Sequence, residues 1–136
     1  MTAATGGGGE RKDGMTGPLV LLVEDRPLVL RSLSKAARTV GWQPVEASTV
    51  AEARFVLERQ PMDTVLCDFA LRAGETGLEV LAYARDVRPS ALRVLSSASV
   101  PPGLDEAIAS GLVHVFLPKP YGISALLRLA SEKRGT

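Results

Sequence analysis

The sequence predicts an α/β domain in which a parallel sheet of five strands is covered on both faces by crossover helices. Three observations predict it. From Pro18 onward, apolar runs of strand length alternate five times with stretches whose apolar residues recur every three or four positions. Turn and capping residues, among them Gly41, Pro61, Pro89, Pro101-Pro102 and Gly111, punctuate the segments. The 136 residues also suffice for one domain with a real core, since a chain of about 150 buries roughly 70% of its unfolded surface.

The first strand runs from Leu19 to Glu24 and leads through Arg26-Pro27 into a helix whose Leu30, Leu33, Ala37 and Val40 share one face. Gly41 ends that helix. A weak second strand covers Gln43 to Ala47, and Ser48 is the expected N-cap of a helix through Arg59, with Val50, Ala53, Val56 and Leu57 buried. The third strand is Thr64 to Phe69. After the loop Leu71 to Thr76 comes a helix from Gly77 to Val87, with Leu78, Leu81 and Ala82 expected to face inward and Pro89 enforcing its end. The fourth strand is Leu92 to Ser97, followed by a short helix of about Leu104 to Ser110 capped by Gly111. A fifth strand, Val113 to Leu117, and a last helix, Ile123 to Lys133, complete the pattern, with Leu126, Leu127, Leu129 and Ala130 as the apolar face.

Residues 1–17 carry six glycines and no apolar periodicity, so ordering them would cost backbone entropy with nothing buried in return. They are expected to form a flexible leader before a domain spanning 18–134. The net charge of +1, from 16 Lys+Arg against 15 Asp+Glu, gives no reason to expect nucleic acid, a membrane surface or an acidic substrate as partner. The longest apolar stretch, Pro18 to Val23, is far short of the roughly 20 residues of a membrane span, and the amino terminus lacks a signal-peptide core, so a cytoplasmic protein is expected. The single cysteine, Cys67, has no disulfide partner within the chain and reads as a small buried hydrophobe.

Parallel sheets of this kind place ligands at the carboxyl ends of their strands. There the sequence delivers Glu24 and Asp25, then Asp68, then Ser96 and Ser97, and finally Lys119. Three carboxylates, a hydroxyl and an ammonium converging on one edge suit phosphoryl transfer, where charge on the phosphoryl oxygens must be neutralised and the reacting atoms held in line. Magnesium, a hard cation that prefers oxygen ligands, fits the acidic cluster. Its charge would relieve the repulsion among carboxylates so close together.

With Glu24-Asp25 after a strand, Asp68 after Thr64-Val65-Leu66-Cys67, Ser97-Ala98 after Val94-Leu95 and Lys119-Pro120 after Phe116-Leu117, the chain resembles the receiver domain of two-component response regulators over about Leu19 to Ala130. The resemblance implies the flavodoxin-like strand order 2-1-3-4-5. It implies that Asp68 is the phosphoacceptor, taking a phosphoryl group from a histidine of a partner kinase or phosphotransfer protein. Glu24, Asp25, Asp68 and the backbone carbonyl of Ala70 would hold magnesium. Lys119 would contact one phosphoryl oxygen and Ser97, preferred over Ser96 because a small residue follows it, another. Phe116 would be the aromatic whose rotamer follows Ser97, and a cis Lys119-Pro120 peptide would aim the ammonium inward. Phosphorylation would then switch the surface of the fourth helix, fifth strand and fifth helix, which faces a protein target or a phosphorylation-dependent second copy. Such a domain would be a signalling module and not an enzyme, promoting only its own phosphorylation and dephosphorylation.

Two departures stand out. The loop Leu71-Arg72-Ala73-Gly74-Glu75-Thr76-Gly77 places arginine where receivers commonly carry proline and is one residue longer, so Arg72 could reach the acidic site or a partner. Ala70 has no polar side chain to influence a hydrolytic water. His114, the only histidine, is expected at the surface, and Trp42 at the opposite edge of the sheet as a structural residue. Two other readings fit part of the pattern: a magnesium-dependent phosphohydrolase of small esters, which would need a second acid two residues after its nucleophile, and a receiver-like interaction module that is not phosphorylated. Only Gly135 and Thr136 follow the last helix and Arg134, which suggests a stand-alone receiver or a fragment of a longer regulator or hybrid kinase.

Overall fold

In the computed structural model, which describes residues 17–135, the five apolar runs form β1 (Leu19–Val23), β2 (Gln43–Ala47), β3 (Thr64–Asp68), β4 (Leu92–Ser97) and β5 (Val115–Pro118). They make one sheet in the order β2-β1-β3-β4-β5, parallel throughout. Between them lie α1 (Pro27–Thr39), α2 (Val50–Arg59), α3 (Gly77–Val87) and α4 (Leu104–Ala109), and α5 (Ile123–Gly135) follows β5. The leader expected over residues 1–17 lies outside the described residues apart from Gly17.

Strand alternation divides the core in two. Leu21, Val23, Val65, Cys67 and Leu95 point to the layer of α2, α3 and α4, while Val20, Leu22, Leu66, Val94 and Leu117 point to α1 and α5. β3 is buried along its whole length, as expected of a central strand covered on both faces. Trp42 is buried against the α1/α5 layer, where its size fills the space between sheet and helices.

Several boundaries differ from those the sequence suggests. The N-cap of α2 is Thr49, whose hydroxyl accepts from Glu52 N at 3.0 Å. Ser48 instead binds the Glu52 carboxylate through its own amide and hydroxyl. In α3 the fully buried residues are Gly77, Val80, Leu81 and Ala84, and Leu78 and Ala82 lie at the flank. β5 begins at Val115, because Val113 N donates to Ala107 O and closes the end of α4 instead of joining the sheet. Leu127 of α5 is half exposed. β3 stops at Asp68, and Glu24 lies just beyond β1. Gly111 does take the left-handed conformation after α4, at φ +81°.

A buried arginine, Arg93 in β4, ties the loops at the amino end of the sheet. Its guanidinium donates to the carbonyls of Leu112 (3.0 Å), Pro89 (3.2 Å) and Gly111 (2.7 Å). Arg93 N donates to His114 Nδ1 at 2.9 Å, so the exposed His114 is held at the start of β5. Burial lowers the pKa of Arg93, yet three carbonyl acceptors suit a guanidinium and leave no buried charge unsolvated.

Candidate functional site: an acidic cleft at the carboxyl edge of the sheet

Register determines which side chains meet. In the sheet Asp68 stands beside Ser96 and Ser97 beside Pro118. Beyond the strands, Phe69 N donates to Ser96 O at 2.8 Å and Lys119 N to Ser97 O at 2.9 Å, which carries the alignment one residue past the sheet. The Lys119-Pro120 peptide is cis. Lys119 Nζ lies 2.7 Å from Asp68 Oδ1 and 3.0 Å from Glu24 Oε1. Carboxylate oxygens of Glu24, Asp25 and Asp68 lie within 4.8 Å of one another. The structure therefore brings together the acidic pair, Asp68 and Lys119.

The backbone of Asp68 is packed as tightly as its side chain is placed. Gly77 N donates to Phe69 O at 2.8 Å, and a Cβ on Gly77 would stand 2.4 Å from Asp68 O. Only glycine lets the start of α3 approach the strand this closely. A capping box between Thr76 and Glu79 fixes that helix start. Ala70 is exposed and pairs with Thr76 in an isolated bridge across the loop.

Glu24 is only 2% exposed, yet both of its oxygens are saturated. Oε2 accepts from Arg26 N (3.1 Å) and Nε (3.0 Å), and Oε1 from Arg26 Nη2 (3.3 Å) and Lys119 Nζ. Burial pushes this carboxyl up, but the bonds from Arg26 and Lys119 together outweigh it and hold the pKa at about 2 instead of the ordinary 4.5. Asp68 goes the other way: burial raises its carboxyl above the ordinary 3.8, the Lys119 bond and charge oppose this, and the Glu24 charge adds to the rise. Burial, with the charges of Asp68 and Glu24, likewise raises the Cys67 thiol well above its usual range, so Cys67 stays a protonated core residue donating to Asp68 O.

These opposite shifts predict an acid profile. Glu24, with its folded pKa below the unfolded one, contributes stability that is fully present above 4.5 and is lost as pH falls toward about 2. Asp68, raised above 3.8, costs stability at neutral pH and returns it on protonation. Denaturant titrations at successive pH values are expected to show a shallower acid loss in Glu24→Gln than in wild type and a steeper one in Asp68→Asn.

Ser97 and Phe116 lie on the same face of the sheet, toward α4, by strand alternation. Ser97 Oγ accepts from Ser99 N at 3.3 Å, and Phe116 is partly buried. Ser96 faces the other layer. Its buried hydroxyl lacks a hydrogen bond of good geometry, and the Tyr121 phenol beside it is pushed up to about 12, chiefly by burial.

Sequence reasoning missed Arg26 and Tyr121 as members of this site and left the reach of Arg72 open. Arg26 follows the acidic pair directly, a signal that was available. Arg72 Nε lies 3.4 Å from Asp25 Oδ2, and no local pattern joins those two residues, because the pairing depends on β1 and β3 being neighbours. Between α1 and α5 a cleft of about 440 Å³ opens beside Glu24 and Lys119, floored by Leu33, Tyr121 and Leu126.

Comparison with known proteins agrees with this architecture. Residues 20–131 match the response regulator receiver domain family. The transcriptional regulatory protein KdpE of Mycobacterium tuberculosis is 32% identical over 120 residues, covering 87% of this chain and 52% of its own length. The alginate biosynthesis transcriptional regulatory protein AlgB of Pseudomonas aeruginosa is 35% identical over 118 residues, 85% of this chain and 25% of its own. The chain thus spans about half or less of the length of these relatives. Among solved structures, a CheY-like receiver domain protein from Methanospirillum hungatei superposes with a TM-score of 0.79 at 21% identity, covering 87% of this chain and 94% of that one. The receiver domain of the sensor histidine kinase PA1611 from Pseudomonas aeruginosa, solved with magnesium in its active-site cleft, gives 0.77 at 23%, covering 89% and 100%. With its sheet order, its acidic edge and a family match across nearly all the described residues, the chain belongs to the response regulator receiver domains of two-component signalling.

Proposed function

We propose that this chain is a phosphoacceptor of a phosphorelay, in which Asp68 takes a phosphoryl group from a histidine on a partner kinase or phosphotransfer protein. One observation carries the reading: the Asp68 carboxylate ends a central strand with Lys119 Nζ at 2.7 Å and two further carboxylates within 4.8 Å. Asp68 Oδ forms the new O–P bond as the N–P bond of the donor breaks, and the electron pair returns to the imidazole nitrogen. Lys119, bridging Asp68 and Glu24, is placed to neutralise a phosphoryl oxygen. Being nucleophilic only when ionised, Asp68 depends on Lys119 to offset the upward push of burial on its carboxyl.

The oxygen donors fit magnesium, which would neutralise charge on the phosphoryl group when bound. Glu24, Asp25 and Asp68, with the Ala70 carbonyl, would be its protein ligands. Glu24, whose oxygens already accept four protein N–H bonds, would also orient Lys119 and Arg26.

The modified site is proposed to bias a two-state equilibrium at the face of α4, β5 and α5. Ser97 and Phe116 lie on the side of the sheet that bears α4, and Ile108, Ile123 and Leu127 expose apolar surface on α4 and α5. That surface suits a protein target or a second copy, and every described helix lies against the sheet or its neighbours with none left over to enter a DNA groove. The phosphohydrolase reading loses support at Ala70, where a methyl stands in the place of the second acid.

Incubation with magnesium and a small phosphodonor is expected to add one phosphoryl mass, labile to hydroxylamine as an acyl phosphate is, on the peptide carrying Asp68. Rapid multiple turnover of a phosphate ester would favour the hydrolase. No modification, by small donors or by phosphohistidine proteins, would favour the inert module.

A further inference from the structure

The cleft holds three carboxylates and three cations, and the pairing is uneven. Lys119 and Arg26 both bind Glu24, and Lys119 also reaches Asp68. Asp25 has Arg72 as its ion-pair partner, at 3.4 Å. Four of the five ion pairs among the described residues belong to this cleft.

We infer that Arg72 is a tethered counter-ion of Asp25, occupying that carboxylate until a divalent cation displaces it and thereby weakening the site's hold on magnesium. The inference rests on the metal site proposed above.

Geometry and charge both point there. Magnesium binds carboxylate oxygens at about 2.0–2.1 Å, so a metal on Asp25 and a guanidinium 3.4 Å from the same carboxylate would be two cations within a few ångströms. Like charges that close repel, and one must retreat. The Arg72 side chain is 71% exposed, so it can swing into water at little cost. Lys119 differs, for it can stay on Glu24 after giving up Asp68. Arg26 differs too, because its guanidinium is held on Glu24, which is saturated by protein donors.

The backbone under Arg72 has no need to move. Leu71 N donates to Glu75 O at 3.0 Å and Glu75 N to Arg72 O at 3.1 Å. The Glu75 carboxylate accepts from Val50 N at 3.2 Å, tying the loop to the start of α2. Ala73 sits in the left-handed region at φ 58°, which turns the chain tightly after Arg72. Losing the Arg72 side chain therefore removes charge from the cleft without releasing the loop that carries Ala70.

The test is magnesium affinity, measured by amide chemical shifts at low ionic strength, for wild type, Arg72→Ala, Arg72→Gln and Arg72→Lys. Both neutral variants are expected to bind magnesium roughly two- to five-fold more tightly, the scale of an exposed ion pair. Arg72→Lys should stay near wild type, and the gain of the neutral variants should shrink as sodium chloride is added. In wild type the Arg72 Nε–Hε signal, assigned by its loss in Arg72→Ala, should move in step with the magnesium titration. Equal or weaker binding by Arg72→Ala and Arg72→Gln, with unchanged thermal melting, would overturn the role of Arg72 alone. Absence of magnesium binding in every variant would overturn the metal site itself and this inference with it.

Discussion

Asp68→Asn is expected to abolish phosphoryl uptake entirely while leaving the domain folded. The amide cannot form the acyl phosphate, and the neighbouring groups are engaged: Glu24 is closed by four hydrogen bonds, Asp25 is paired with Arg72 and is a proposed magnesium ligand, and Cys67 is a buried thiol held protonated. Stability should not suffer. Burial makes the Asp68 charge a cost, and Asn keeps the shape while its carbonyl oxygen can still accept from Lys119. The variant is expected within about 1 kcal/mol of wild type, on the stable side, because Lys119 keeps Glu24 as its partner and the raised Asp68 carboxyl makes its charge a net cost in the fold. Intact mass after exposure to phosphodonor and magnesium, together with denaturant titration, checks both halves. An acyl phosphate on the Asn variant would show that another residue is the acceptor.

Gly77→Val is the second large effect, and it acts through packing. The new Cβ would lie 2.4 Å from Asp68 O and 3.0 Å from both Cys67 Sγ and Leu95 Cδ1, with the γ methyl groups still to be placed. Neither β3 nor the α3 start can yield cheaply, since Gly77 N is bonded to Phe69 O and the capping box fixes Thr76 and Glu79. Overpacking against backbone is expected to cost about 3 kcal/mol or more, a large part of a domain stability of roughly 5–15 kcal/mol. Gly122→Ala is the control, because a Cβ there meets nothing within 4 Å. Chemical denaturation should separate the two, and any Gly77→Val that folds should show Asp68 displaced and slowed in phosphoryl uptake.

How far the sequence speaks can be judged residue by residue. Strand and helix identity followed from apolar period, because burial on one or both faces is a local pattern that the chain repeats five times. Glu24, Asp25, Asp68 and Lys119 could be placed at one edge because parallel strands all end there. Competition between neighbours was harder to read. Thr49, and not Ser48, caps α2: its hydroxyl accepts from Glu52 N, while Ser48 is spent on the Glu52 carboxylate through its amide and hydroxyl. Val113 looks like strand by composition, yet its amide is consumed in closing α4. Ion pairs were least legible: Arg72 and Asp25 are partners only because the loop after β3 passes the end of β1.

The bond from Lys119 to Glu24 joins residues 95 apart in the chain. Contacts of such span come late and slowly, because loop closure must precede any gain from them. During synthesis Glu24 and Asp68 emerge well before the lysine that bridges them. A chain stopped before β5 would keep Arg26 on Glu24 and Arg72 on Asp25 but would leave Asp68 without its ion-pair partner Lys119. For the phosphoacceptor proposed above, competence would thus be coupled to completed synthesis: a chain lacking β5 is expected to take up no phosphoryl group.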